Sequence, residues 1–437
     1  MKFWKPPVSK RIYADAAAAT PLSARSRAEL VRLLDVYGNA GALHKEGVMA
    51  KEELERARAA VAQSTGAHSS EIVFTSSGTE GNNLAIQGCI RQMGTICRTV
   101  DGHHLHGHHL QKLHAITSAI EHQSVLEPLR ALKREGLEVT ELPVDSEGFV
   151  SPKQLAEAVT DKTVFVSVQL VNSEVGTIEP IKEIVKQIRN VRKLRDESLL
   201  RSPSEALTTQ AFVSQLPIYL HTDASQAPFW MDIGVEQLGV DLMTLDGQKV
   251  LGPKGVGALY VRRPGRAGGI KIEPILWGGS QERGLRGGTP NVPLAGAFAA
   301  ALADAQSGVE ERAAKVTGVR DFCWNEIKRL LPDAILNGPS IGLGTDPARV
   351  ANNINVSIPG LDAQMAVIAL DAEGIAASTR SACNVGEQEP SHVIQALGVP
   401  KNLAGTAVRI TFLPDITKDD ARIIAQKLFE IASRYRQ

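Results

Sequence analysis

Apolar residues in this chain follow two rhythms. Short runs rich in β-branched and aromatic side chains read as strands: EIVFT (71–75), HAITSAI (114–120), LEVTELP (137–143), TVFVSVQL (163–170), PIYLHTD (217–223), DLMTLD (241–246) and GALYVRR (257–263). Between them, SVLEPLRALKREG and PIKEIVKQIRNVRKL space their apolar residues by three and four, which suits amphipathic helices lying on a sheet. This alternation predicts an α/β domain with a parallel sheet and crossover helices. After the glycine-rich GGSQERGLRGGTP (278–290) the texture changes to long helical segments, followed by NNINVSIPG, AVRITF and an amphipathic end. That change predicts a second, α+β domain with a boundary near residue 295.

Two segments break the rhythm. CRTVDGHHLHGHHLQK (97–112) holds five histidines, and RDESLLRSPSEALTTQAF (195–212) is polar without a clear period. Both are expected to be surface loops. The irregular histidine spacing favours a solvated loop over a zinc or nickel site, so no metal is assigned.

Charge narrows the function classes. The 48 basic and 48 acidic side chains cancel across 437 residues, so no global field favours nucleic acid or an anionic membrane. No stretch of about 18 uninterrupted apolar residues predicts a membrane span. Four cysteines without CxxC spacing point to a reducing, cytoplasmic setting.

Candidate chemistry gathers where predicted strands end. In FTSSGTEGNN a strand stops at Thr75 and a helix begins in the next turn. Backbone amides of Gly78 and Thr79 at that start can bind a phosphate, with Glu80 capping the turn, although an ordinary N-cap reads the same way. HTDASQAP puts Asp223 just past an apolar strand, as a partner for a protonated ring nitrogen or as a helix cap. SAIEHQSV ends its strand with Glu121 and His122. TLDGQKVLGPKG (244–255) carries two lysines. Lys249 follows a strand and shares the sheet edge with Gly78, His122 and Asp223, whereas Lys254 begins the next turn. A lysine held beside a phosphate site and a ring-nitrogen acid meets the needs of a pyridoxal phosphate (PLP) Schiff base, so Lys249 is the choice.

With these positions in hand the chain resembles the class V aminotransferase-like, fold-type I PLP enzymes, and among them the group I cysteine desulfurases. The segments that carry the resemblance run in order: YADAAAATPL, YGNAGALHKEG, FTSSGTEGNNLAIQG, TSAIEHQSVL, VNSEVG, HTDASQ, DGQKVLGPKGVGALYVRR, GGSQERGLRGGTPNV, STRSACNVGEQEPSHVIQALG and VRITF. It implies a large domain (21–295) with a mixed, mainly parallel seven-stranded sheet, and a small domain (296–437) carrying a Cys383 loop. An N-terminal arm (1–20) would pack with the small domain.

It further implies Lys249 as the Schiff-base lysine, His122 stacked on the ring and moving protons, Asp223 on the ring nitrogen and Gln226 on the ring hydroxyl. Thr79 and Gln248 would bind phosphate, Thr289 would reach the phosphate of a neighbouring subunit in a homodimer, and Arg409 and Asn39 would contact the substrate. Cys383, among small and polar neighbours, would take sulfur from L-cysteine as a persulfide, release alanine, and deliver the sulfur to an acceptor for iron–sulfur assembly or transfer-RNA thiolation. A selenocysteine lyase, or another PLP-dependent lyase or aminotransferase, is the nearest alternative. A sulfur carrier that has lost catalysis is the alternative of another class.

Two departures stand out. The family lysine motif SGHK is here DGQK, which puts Asp246 where a phosphate is expected. Two unit charges 4 Å apart repel by about 4 kcal/mol at an effective dielectric near 20, so Asp246 must turn away, pair with a cation or hold a proton. Pairing with a cation or accepting from a hydroxyl is expected, with Lys254 or Arg286 as partner. VNSEVG replaces the usual NNE, and either Asn172 or Ser173 would take over the contact to the ring oxygen.

Overall fold

The computed structural model describes residues 11–101, 109–201, 213, 216–263, 270–341, 348–379 and 390–436. All seven expected strands form, and they assemble into one sheet. From edge to edge they are Ile72–Thr75, Gly257–Val261, Leu242–Asp246, Tyr219–Asp223, Thr163–Ser167, His114–Ser118 and Glu138–Leu142. The Gly257–Val261 strand is antiparallel to both neighbours, and all other pairings are parallel.

Near-continuous apolar runs are what a sheet covered on both faces requires. Successive residues duly enter different cores. Phe74, Ala258 and Tyr260 belong to one cluster, and Val73, Leu259 and Val261 to the other. The second core is roofed by the helix Gly78–Asp101, whose Ala85, Cys89, Met93 and Cys97 recur every four residues and are buried. That helix runs through residues expected to be loop: Cys97 is inside the core, and helix continues to Asp101. Likewise the helix Ile181–Arg201 extends past residue 195. Both expected inserts are therefore helical where they begin, because a helix already anchored by packing carries its polar end outward. Residues 102–108, with most of the histidines, lie outside the described residues, as do 202–212.

A third cluster marks the second unit. It surrounds a small antiparallel sheet in the order Ala407–Thr411, Asn353–Ser357, Ile335–Leu336, flanked by the helices Val309–Leu330 and Lys418–Tyr435. The helix Val292–Gln306 spans the boundary expected near 295, yet its Val292, Ala295, Phe298 and Leu302 pack into the first core. By packing, the first unit extends to the turn at Ser307 and Gly308. Near the other end of the chain, Ile12–Tyr13 pairs in parallel with Ile375–Ala376, and Ile12 and Ala14 are buried in the small-unit core.

Candidate active site

Every parallel strand adjoining the cleft delivers its functional residue just past its carboxyl end. Strand His114–Ser118 leads to His122, Thr163–Ser167 to Gln169 and Ser173, Tyr219–Asp223 ends on Asp223, and Leu242–Asp246 leads to Lys249. Parallel alignment puts all of them at one edge, the usual ligand position of open α/β sheets. Together with Ala17, Ala18, Ala19, Gly78, Thr79, Gln226, Gln248 and Arg409 they line a cavity of about 360 Å³.

At its floor, Asp223 is held from two sides. Asn82 Nδ2 donates to one carboxylate oxygen (2.7 Å) and the Ser225 amide to the other (2.9 Å). The same Asn82 amide group donates to Ser124 Oγ (2.8 Å), which lies 2.7 Å from His122 Nδ1. One asparagine thereby couples the acid to the imidazole. Behind Asp223 the sheet buries a neutral polar chain. His221 bridges Ser167 Oγ (2.9 Å) and Thr244 Oγ1 (3.0 Å), and burial pushes its pKa down to about 4. The equally buried Glu121 accepts from Ser118 Oγ (2.6 Å) and the Gln169 amide (2.9 Å), and burial raises its pKa to about 8.

Lys249 sits in the 3-10 turn Gly247–Lys249, and its Nζ donates to the carbonyls of Ala17 (2.7 Å) and Ala18 (2.5 Å). Gln226 Nε2 donates to the same Ala17 carbonyl (2.9 Å). The N-terminal segment is stitched to the lysine turn by Thr20, whose amide and hydroxyl both donate to the Gln248 carbonyl, while its Oγ1 accepts from the Leu251 amide. Leu251 has φ 56°, a left-handed conformation that is costly for a non-glycine residue and is held here by this stitching. Lys254 also lines the cavity but is exposed.

At the other end stands the start of the helix Gly78–Asp101. Ser77 Oγ accepts from the Glu80 amide and Glu80 accepts from the Ser76 amide, a reciprocal cap. The partners expected for Asp246 are not the ones it has. Arg286 Nε donates to Glu80 instead (3.0 Å). Asp246 accepts from the backbone amides of Gly78 (3.2 Å) and Gln248 (3.1 Å), and from the Gln248 side chain (3.4 Å). The helix end and the following turn present N–H groups that satisfy a carboxylate without a cation or a hydroxyl. Burial raises the Asp246 pKa, against the opposing pull of Lys249 and these N–H donors.

Of the two candidates in VNSEVG, Ser173 lines the cavity. Asn172 is buried and structural: its Oδ1 accepts from the Glu174 and Val175 amides and its Nδ2 donates to the Ile120 carbonyl. Arg409 reaches the cleft from the small sheet. Its guanidinium donates to Asp15 (2.9 Å) and the Ser173 carbonyl (3.2 Å), while its buried Nε has no acceptor among the described residues. Asn39 lies outside the cavity lining, exposed, with its Oδ1 capping the Gly41 amide. Thr289 is exposed and lines a separate cavity with Ser76, Glu282 and Arg286. Cys383 lies outside the described residues. Asn82, Ser124 and Gln169 escaped the sequence reading. Asn82 falls one helical turn after Gly78, a spacing that points it along the same face as the helix start.

The donor set fits PLP: an amine, a supported carboxylate, an imidazole, an amide and a helix N-terminus converge on one cavity. Gly78 completes the cradle, since a Cβ there would lie 3.0 Å from Ser225 Oγ and 3.1 Å from the Asp246 Cβ.

The aminotransferase class-V family model matches residues 12–194 and 206–424. A cysteine desulfurase IscS of Dictyoglomus turgidum is 35% identical over 430 residues, covering 98% of this chain and 96% of that protein. A solved NifS-like protein superimposes with a TM-score of 0.79 at 30% identity, covering 97% of this chain and 100% of the other. A structure of SspA in complex with cysteine does so with a TM-score of 0.69 at 30% identity, covering 93% and 99%.

Proposed function

The chain belongs to the class-V aminotransferase family, and we propose that it acts there as a cysteine desulfurase, converting L-cysteine to L-alanine and leaving the sulfur as a persulfide on Cys383. Likeness to cysteine desulfurases over nearly the whole chain makes it an enzyme of that activity. The observation that carries the residue assignment is the convergence of Lys249, Asp223, His122, Gln226 and Arg409 on one cavity.

PLP, the cofactor of this family, supplies when bound an electron sink that acidifies the α-proton of an amino acid. Lys249 Nζ is the amine that holds it and then moves the α-proton. Asp223, fixed by Asn82 and the Ser225 amide, would hold the protonated ring nitrogen. His122, oriented by Ser124, would stand beside the cofactor and move a proton. Gln226 and Ser173 serve the ring hydroxyl, and Gly78, Thr79 and Gln248 the phosphate. Arg409 takes the substrate carboxylate, for which its unpartnered Nε is a ready donor. The Cys383 thiolate attacks the substrate sulfur. The Cβ–S bond breaks, an S–S bond forms, and the β-carbon gains a proton to give alanine.

The active assembly is a homodimer in which Thr289 serves the neighbouring phosphate. In support, Thr289 is exposed and lines a cavity separate from its own cleft, and Tyr37, Leu43 and Trp277 leave large apolar surfaces exposed. The persulfide goes to an acceptor protein for iron–sulfur cluster assembly or transfer-RNA thiolation. Among the described residues no helix is long and apolar enough to cross a membrane, in keeping with work in the cytoplasm.

The test is incubation with L-cysteine while alanine and sulfide are followed together. Equal amounts of both are expected, with a loss of about 10³-fold or more in Lys249→Ala and loss of sulfide release in Cys383→Ser. Full sulfide production by Cys383→Ser would defeat the persulfide route.

A further inference from the structure

The phosphate end of the cleft contains a contradiction that the rest of the site lacks. Its helix start is served by an acidic side chain, and the two backbone amides best placed to bind an anion, those of Gly78 and Gln248, already donate to Asp246. An ionised carboxylate and a phosphate dianion are both acceptors only, so neither can satisfy the other. Turning Asp246 away is not open to it. The residue is buried at the end of a central strand, its two carboxylate oxygens are held by the Gly78 and Gln248 amides, and its backbone pairs with Gly257 across the sheet.

Charges around it offer little neutralisation. Lys249, on the same turn, is the one whose field acts on Asp246, and its Nζ is engaged by the Ala17 and Ala18 carbonyls and is the amine the cofactor consumes. Lys254 lines the cavity from an exposed position, Arg409 is paired with Asp15, and Arg286 with Glu80 on the first turn of the helix. His122 and Asp223 also line the cavity, and Asp223 takes its hydrogen bonds from Asn82 and the Ser225 amide.

Resting on the reading of this cleft as a PLP site, we propose that Asp246 carries a proton while the cofactor phosphate is bound, donating its O–H to a phosphate oxygen, so that loading takes up one proton and weakens as the pH rises. A carboxylic acid in this position does what the serine of SGHK would do, donating one hydrogen bond without adding charge. Burial already favours the protonated form before any phosphate arrives.

Linkage sets the direction. If the complex holds a proton that the free chain has released, affinity is highest at low pH and falls as pH rises through the free-chain pKa of Asp246. Equilibrium dialysis of the full-length holoprotein against PLP from pH 6 to 9 reads this without any turnover. The dissociation constant of the unmodified chain should climb more steeply than those of Asp246→Ser and Asp246→Asn, by up to about tenfold per pH unit. Both variants should hold PLP more tightly at pH 8 to 9.

Asp246→Asn keeps an oxygen to accept from Gly78 and so guards against a folding failure of the serine variant. Pyridoxal without its phosphate, which reports only the chemistry at Lys249, should show one pH dependence in all three proteins. Equal slopes for PLP in the three proteins would overturn the proposal, as would an affinity that rises with pH only in the unmodified chain. Failure of all three to take up PLP at any pH would overturn the functional reading itself, a result distinct from unchanged slopes.

Discussion

The two ends of the cleft solve the same problem, holding an acid at the edge of a sheet, in opposite ways. At the ring end Asp223 receives Asn82 and the Ser225 amide, and Asn82 also ties in Ser124 and through it His122. Around it the sheet is lined with neutral donors and acceptors, and Glu121 is pushed toward its protonated form by burial and, to a lesser degree, by the charge of Asp223 itself. At the proposed phosphate end Asp246 has only N–H donors from one helix start and one turn, and it occupies the ground proposed for the phosphate. A charge the chemistry uses is braced from several elements. A charge that conflicts with the ligand is left able to take up a proton.

The contrast is open to attack from its strongest point. Asp223→Asn removes the charge but not the shape, and kcat for alanine formation should fall by about 10²- to 10³-fold, the scale of losing one preorganised electrostatic partner. Unchanged steady-state kinetics in that variant would erase the distinction between the two ends.

A smaller effect probes the bracing. Asn82→Ala leaves Asp223 and Ser124 without their shared donor and should cost about tenfold in kcat, in line with loss of hydrogen bonds to a charged group. The absorbance maximum of the bound cofactor should shift as well. A fall in thermal stability with kcat and spectrum intact would make Asn82 merely structural.

The smallest effect concerns stability. Glu121 and Glu179 both have pKa values raised to about 8 by burial. Their contribution to folding is therefore complete below the unfolded value near 4.5 and is lost as pH rises through about 8. Glu121→Gln cannot ionise, while its Oε1 can still accept from Ser118 and Gln169. Its stability between pH 5 and pH 9, measured by denaturant unfolding, should decline less than that of the unmodified chain by on the order of 1 kcal/mol.

Much of this was legible in the residues. All seven strands could be placed because a sheet covered on both faces demands continuous apolar runs, and Lys249, Asp223 and His122 could be grouped because parallel strands put their carboxyl ends together. The misreadings share one cause. Cys97 and residues 195–201 looked like loop because their neighbours are polar, yet helices anchored upstream carry them. Asn82 and Ser124 were invisible because their importance lies in a contact between two helices that no local pattern encodes.

By itself, then, the sequence determined the sheet, the edge at which the candidate groups gather and which titratable groups stand there, since these follow from periodicity and from residue type. Only the tertiary structure decided the partners: Ser173 over Asn172 in the cleft, Asn82 beneath Asp223, and backbone amides instead of Lys254 or Arg286 around Asp246. Hydrogen-bond partners depend on distances of a few ångströms between segments far apart in the chain, and those distances exist only once the sheet and its helices have packed.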